Sequence, residues 1–171
     1  MRTVDKEGLT IETSTTGPFR LWTQYGAALG LGVLALAVKA ATRPLSPAAG
    51  TLSLVVEILM VATWGWTGYV AKRQGLHPSW QAALAGVAYG LVAGLGAFVN
   101  PPTASEELAL IRAHAQAHTS AAYLQALARA SVTPGAHVAA LVVGLVGSVL
   151  AGLVVGWVGS LFYVTRPVAS R

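Results

Sequence analysis

Crossing about 30 Å of hydrocarbon as an α-helix takes about 20 mainly apolar residues at ~1.5 Å per residue. Four stretches of this 171-residue chain meet or approach that length, at residues 25–41, 51–71, 81–99 and 139–163. The four runs leave the chain few alternatives. A soluble domain this short must cover a large surface with polar groups, yet 54% of the residues are hydrophobic and 10% are charged. Soluble domains carry about a quarter. The expected fold class is therefore all-α, a polytopic membrane protein. Its four transmembrane helices form two antiparallel hairpins, with one extramembrane helix between spans three and four.

The short links "TRPLSPAAG" and "KRQGLHPSW" are rich in turn residues and suit hairpins. A polar leader occupies residues 1–21, one membrane domain residues 22–166 and a tail residues 167–171. Span one ends in small residues, "ALAVKAA", that a signal peptidase would accept. Its leader carries Asp5, Glu7 and Glu12, unlike a short basic n-region, so it reads as a span.

Basic residues set the orientation. Arg2, Lys6, Arg20, Lys72, Arg73, Arg166 and Arg171 fall on one side, and Lys39, Arg43, Arg112 and Arg129 on the other. The positive-inside rule puts the first side, with both termini, in the cytoplasm of a cell whose inner membrane holds the protein. Trp22, Trp64, Trp66, Trp80 and Trp157 fall toward that same side, as an interfacial aromatic belt would. The two signals are independent and agree.

The halves share words. Span one contains "YGAALGLG" and span three "YGLVAGLG"; span two ends "GWTGYVAKR" and span four "GWVGSLFYVTR". The order is the same in both halves, the mark of a parallel internal repeat, although chance matching within a small alphabet gives the same look. Small residues also recur every four positions, a glycine zipper. Gly86, Gly90 and Gly94 lie on span three, and Gly144, Ser148, Gly152 and Gly156 on span four. Such a face is flat and lets another backbone come close. It serves either to pack spans three and four together or to dock a second copy or another membrane protein.

Glu57 stands inside span two, "LSLVVEILMVATWGWTGYV". A lone carboxylate at that depth is costly, so it is expected to be protonated or to pair with Lys39, about 5 Å away in depth across the hairpin. The alternative is an ion or proton site.

Residues 100–136 interrupt the pattern. Pro101 and Pro102 end span three, and Thr103 with Glu106 has capping-box spacing ahead of an expected helix over residues 103–131. His114 and His118 would share a face of that helix, with Glu107 two turns before His114, and two imidazoles so spaced can hold zinc. A solvated face is the plainer reading. "HAQAH" lacks the glutamate of a zinc protease, no phosphate-binding glycine loop is present, and no serine has an evident base. With no cysteine there is neither a disulfide nor a thiolate site. The basic residues are too scattered for nucleic acid.

Two short-looped hairpins, the Gly-rich third span "WQAALAGVAYGLVAGLGAFV", a polar helical insert and a proline before the last span together give a recognisable layout. It resembles an uncharacterised bacterial family of four-span membrane proteins, a domain of unknown function. The resemblance covers about residues 20–166 and implies the fold but no activity. The polar leader and the histidine pair depart from that pattern. The expected function is non-catalytic: a protein of the lipid bilayer that self-associates or serves as an accessory subunit of a membrane complex. A small ion-coupled carrier using Glu57 and a metal sensor or enzyme at His114 and His118 are the alternatives. No cofactor is implied beyond that candidate zinc.

Overall fold

The computed structural model describes residues 3–4, 10–11, 17–43, 46–115 and 118–163. Arg2, Lys6, Arg166, Arg171, the proposed tail and most of the leader lie outside them. Short strands β1 (Thr3–Val4) and β2 (Thr10–Ile11) pair antiparallel. Six α-helices follow among the described residues: α1 (Gly17–Ala41), α2 (Pro47–Arg73), α3 (Pro78–Gly94), α4 (Ala104–His114), α5 (Ala121–Ser131) and α6 (Pro134–Leu161). Four of them, α1, α2, α3 with its 3₁₀ extension Leu95–Ala97, and α6, are long and apolar enough to cross a membrane. The protein is an all-α polytopic membrane protein.

Local chemistry sets the helix ends. Ser46, Thr103, Ser120 and Thr133 are extended N-caps whose hydroxyls accept from backbone N–H groups three residues on, and proline follows directly at α2 and α6. Thr103 and Glu106 form a full capping box. α2 ends in a Schellman motif, with Leu76 N–H donating to Ala71 O (2.9 Å) and Gly75 N–H to Lys72 O (3.1 Å). Gly75 takes the left-handed φ of +71° that the motif needs.

The insert holds two helices where the sequence predicts one. Ser120 competes with helix continuation because its hydroxyl caps the Tyr123 N–H at 3.2 Å. α5 folds back on α4. α4 packs on no other described helix, and α5 touches the bundle only at α6.

In the bundle α1 packs on α2 and α3, and α6 on α2 and α3, while α1 and α6 stand apart. Glycine sets the closest approaches. α3 and α6 run antiparallel, and a Cβ on Gly86 would collide with the Ser148 carbonyl, while one on Gly152 would sit 2.6 Å from Ala82 O. Gly90 faces Leu145 and Ser148, and Gly94 faces Leu141. Gly144 is different: it is exposed and a Cβ there would meet nothing within 4 Å. Its place in the repeat of four does not put it in the groove, because positions four apart drift around a 3.6-residue helix. At the α2–α6 crossing a Cβ on Gly68 would strike the backbone of Gly156, and one on Gly159 the backbone of Gly65. Gly156 also meets Ala82 and Pro78 of α3, so three helices converge on it.

Trp22, Trp66, Trp80 and Trp157 are exposed, as belt residues are. Trp64 is not one of them. It is buried in the core beside Ala28, Met60, Ala82 and Ala85, edge-on to Tyr89 with ring centroids 6.1 Å apart. Its position toward the cytoplasm-assigned end of α2 gave the sequence reading no way to see which face it occupies.

Valine at Gly68 is expected to cost about 3 kcal/mol, the upper range for overpacking, because backbone cannot yield as a side chain can. Valine at Gly147, where a Cβ meets nothing within 4 Å, is expected to change stability by less than about 0.5 kcal/mol. Denaturant titration of the two variants in micelles checks the contrast.

Candidate functional site

The C-terminal half of α1 and the N-terminal half of α2 separate over a floor made by α3. The cleft between them has a volume of about 320 Å³. Val38 and Lys39 line it from α1, Thr42 from the turn just after α1, Gly50, Ser53 and Glu57 from α2, and Tyr89 and Ala93 from α3. Small residues at positions 35, 49, 50 and 93 keep its walls apart without filling it. With Leu21 of α1 packed beside Val70 and Ala71 of α2, the antiparallel register brings Lys39 to about the level of Ser53, so the backbone of Glu57 lies one turn deeper, about 6 Å.

The structure thus brings Lys39 and Glu57 into one cleft, but no ion pair within 4.0 Å forms between them among the described residues. The lysine stem leans on the end of α3 as it lines the cleft: its Cδ lies 3.0 Å from where a Cβ on Gly96 would stand. Axial depth alone made the pair look close. The azimuth of Lys39, turned toward the end of α3, keeps them apart.

Asn100, which the sequence reading overlooked, fixes that end of α1. Its Nδ2 donates to Thr42 O (2.9 Å) and Lys39 O (3.4 Å), and its Oδ1 accepts from Arg43 (3.2 Å). These bonds satisfy orphan carbonyls of the last turn of α1. Asn100 holds a left-handed φ of 49°, a conformation that asparagine tolerates better than most residues. An asparagine ahead of two prolines was the available signal. At the other end the Tyr25 hydroxyl donates to Gln81 Oε1 and ties α1 to α3 again.

The histidines do not converge. α4 ends at His114, so His118 lies past the helix and the shared face is lost. The His114 Nδ1 lies 3.0 Å from Leu110 O. Among the described residues no three His, Cys, Asp or Glu side chains stand close enough together to hold a metal. His114 instead lines an apolar groove between α4 and α5 with Leu110, Tyr123 and Leu127.

Comparison with family models, with curated proteins and with solved structures finds no match. The geometry must carry the argument alone. Among the described residues it offers a polar cleft within the spans, with opposite charges at different depths, and the α4–α5 hairpin.

The hairpin has its own pH response. The Thr103 backbone N–H, and then its hydroxyl, bonded to the Glu106 carboxylate hold its carboxyl below the usual glutamate range, and the Arg43 charge adds to this. A lowered folded value means the contribution is complete above the ordinary glutamate range and lost as pH falls through the lowered one. Amide exchange in the first turn of α4 is therefore expected to accelerate over that acidic window. Glu106→Gln, which still accepts from Thr103, should flatten the dependence.

Proposed function

We propose that this is a non-catalytic, multi-pass protein of a bacterial inner membrane, with both termini in the cytoplasm, that assembles with a second copy or another membrane protein. One observation carries the reading. Packing inside the bundle uses Gly86, Gly90, Gly152 and Gly156, yet it leaves Gly144 and Gly147 of α6 and Gly26 and Gly30 of α1 open, with nothing within 4 Å of a Cβ. In lipid, helices associate where backbones can come close, and these faces are flat to the backbone. Lys72 and Arg73 at the inner end of α2, beside the exposed tryptophans, support the orientation. The resemblance to the four-span family is in keeping with the layout and supplies no activity.

The repeat belongs to the same reading. The second glycine of "GWTG" rests on the first of "GWVG", and the second of "GWVG" on the first of "GWTG". Parallel helices related by a local two-fold axis make that reciprocal contact, which supports duplication. The packing of α1 on α2 is looser than that of α3 on α6, a difference that this reading assigns to divergence of the halves.

Gly144 is exposed and a Cβ there meets nothing within 4 Å, so with leucine in its place the fold should hold while association weakens about tenfold, the equivalent of about 1.4 kcal/mol. Native mass spectrometry from gently solubilised membrane reads both the copy number and any foreign subunit. Unchanged assembly in Gly144→Leu and in the double variant Gly26→Leu/Gly30→Leu would remove these faces from consideration.

A second reading, a small ion-coupled carrier, is favoured by the position of Glu57 in a cleft within the spans. Glu57→Gln breaks no ion pair and should shift stability by under about 0.5 kcal/mol. Under this reading it abolishes proton flux into proteoliposomes. Retained flux refutes the carrier.

A further inference from the structure

The cleft between α1 and α2 has a property that neither packing nor assembly requires. It presents a cation, Lys39, and an anion, Glu57, to one volume without letting them close on each other. Opposite charges in a low-dielectric surround attract strongly and ordinarily collapse into a pair. Here the Lys39 stem is laid over Gly96, and the last turn of α1 behind it is pinned by Asn100. Neither charge is neutralised from within.

We propose that this cleft binds a small zwitterion, its ammonium group on Glu57 and its anionic group on Lys39. A simple anion would meet the Glu57 carboxylate and a simple cation the Lys39 ammonium, so only a molecule carrying both charges satisfies both walls. The hydroxyls of Ser53 and Tyr89, which make no hydrogen bond among the described residues, stand ready for the ammonium end. The backbones of Lys39 and Glu57 differ in depth by about one helical turn, ~6 Å, and their charged groups do not meet within 4.0 Å, which suits an ω-amino acid, whose ends lie several bonds apart, better than an α-amino acid. The volume of about 320 Å³ lies at the small end of ligand clefts, roughly 300–1,000 Å³. The polar ends are matched and the middle is lined by Val38, Val56 and Ala93, which suits a methylene chain.

This inference deepens the carrier reading but does not need transport. The test uses the full-length protein in nanodiscs, with 4-aminobutyrate and 6-aminohexanoate as probes and butylamine and butyrate as single-charge controls. A saturable rise in the unfolding midpoint is expected with at least one zwitterion and with neither control. Glu57→Gln and Lys39→Met should each weaken binding at least tenfold while still unfolding cooperatively. The charge-exchanged double variant Lys39→Glu/Glu57→Lys should regain binding that either exchange alone loses, a recovery that a purely structural role for the two residues would not give. No response to either zwitterion, or an equal response to butylamine alone, overturns the proposal. Saturable binding with no uptake into vesicles leaves the site standing and refutes transport.

Discussion

Backbone touching backbone at the crossing of α2 and α6 is the contact on which the rest of the bundle is built. Lipid tails are as apolar as leucine, so burial alone gives helices no reason to associate, and dispersion at short range has to suffice. Gly65, Gly68, Gly156 and Gly159 let the two backbones touch at that crossing, with Val155 packed against Gly65 beside it. Gly156 then admits α3 as well, through Ala82 and Pro78. A tight wedge of α2, α3 and α6 results. α1 is left outside it, touching α2 and α3 but not α6.

That exclusion explains the cleft. α1 is held to α2 near its N-terminal end, where Leu21 packs with Val70 and Ala71, to α3 by the Tyr25–Gln81 bond, and at its other end by Asn100 just past α3. Toward the end of α1 the facing walls carry Ala35 from α1 and Ala49, Gly50 and Ser53 from α2, which cannot bridge the gap. A charge that would be prohibitively costly in the middle of a packed interface is tolerated at the edge of such an opening. The open cleft and the closed wedge are two results of one allocation of small residues.

Much of this was legible in the order of residues, and for identifiable reasons. Hydropathy over twenty positions marks a span because the bilayer imposes a length. Caps such as Thr103 with Glu106, and the glycine after "KRQ", act over three or four residues and so can be read locally. What escaped was azimuth. Whether Trp64 faces core or lipid, whether Gly144 lies in the groove beside Gly152, and whether Lys39 turns toward Glu57 or Gly96 all depend on neighbours far along the chain. The histidine pair failed for a local reason instead. A helix was assumed through position 118, whereas the hydroxyl of Ser120 starts a new one.

The lengths of the spans have a consequence for the surrounding lipid. α3 with its 3₁₀ turn, 20 residues, reaches about 31 Å, close to the hydrocarbon thickness, whereas the 28 residues of α6 reach about 42 Å. The two are packed antiparallel along most of their length, so α6 cannot lean freely to shed its excess. The 27 residues of α2 reach about 40 Å as well, so a length mismatch between α3 and its two longer neighbours is built into the bundle. The bilayer thickens locally there or the whole wedge leans, and either response makes the protein's tilt depend on which membrane it occupies.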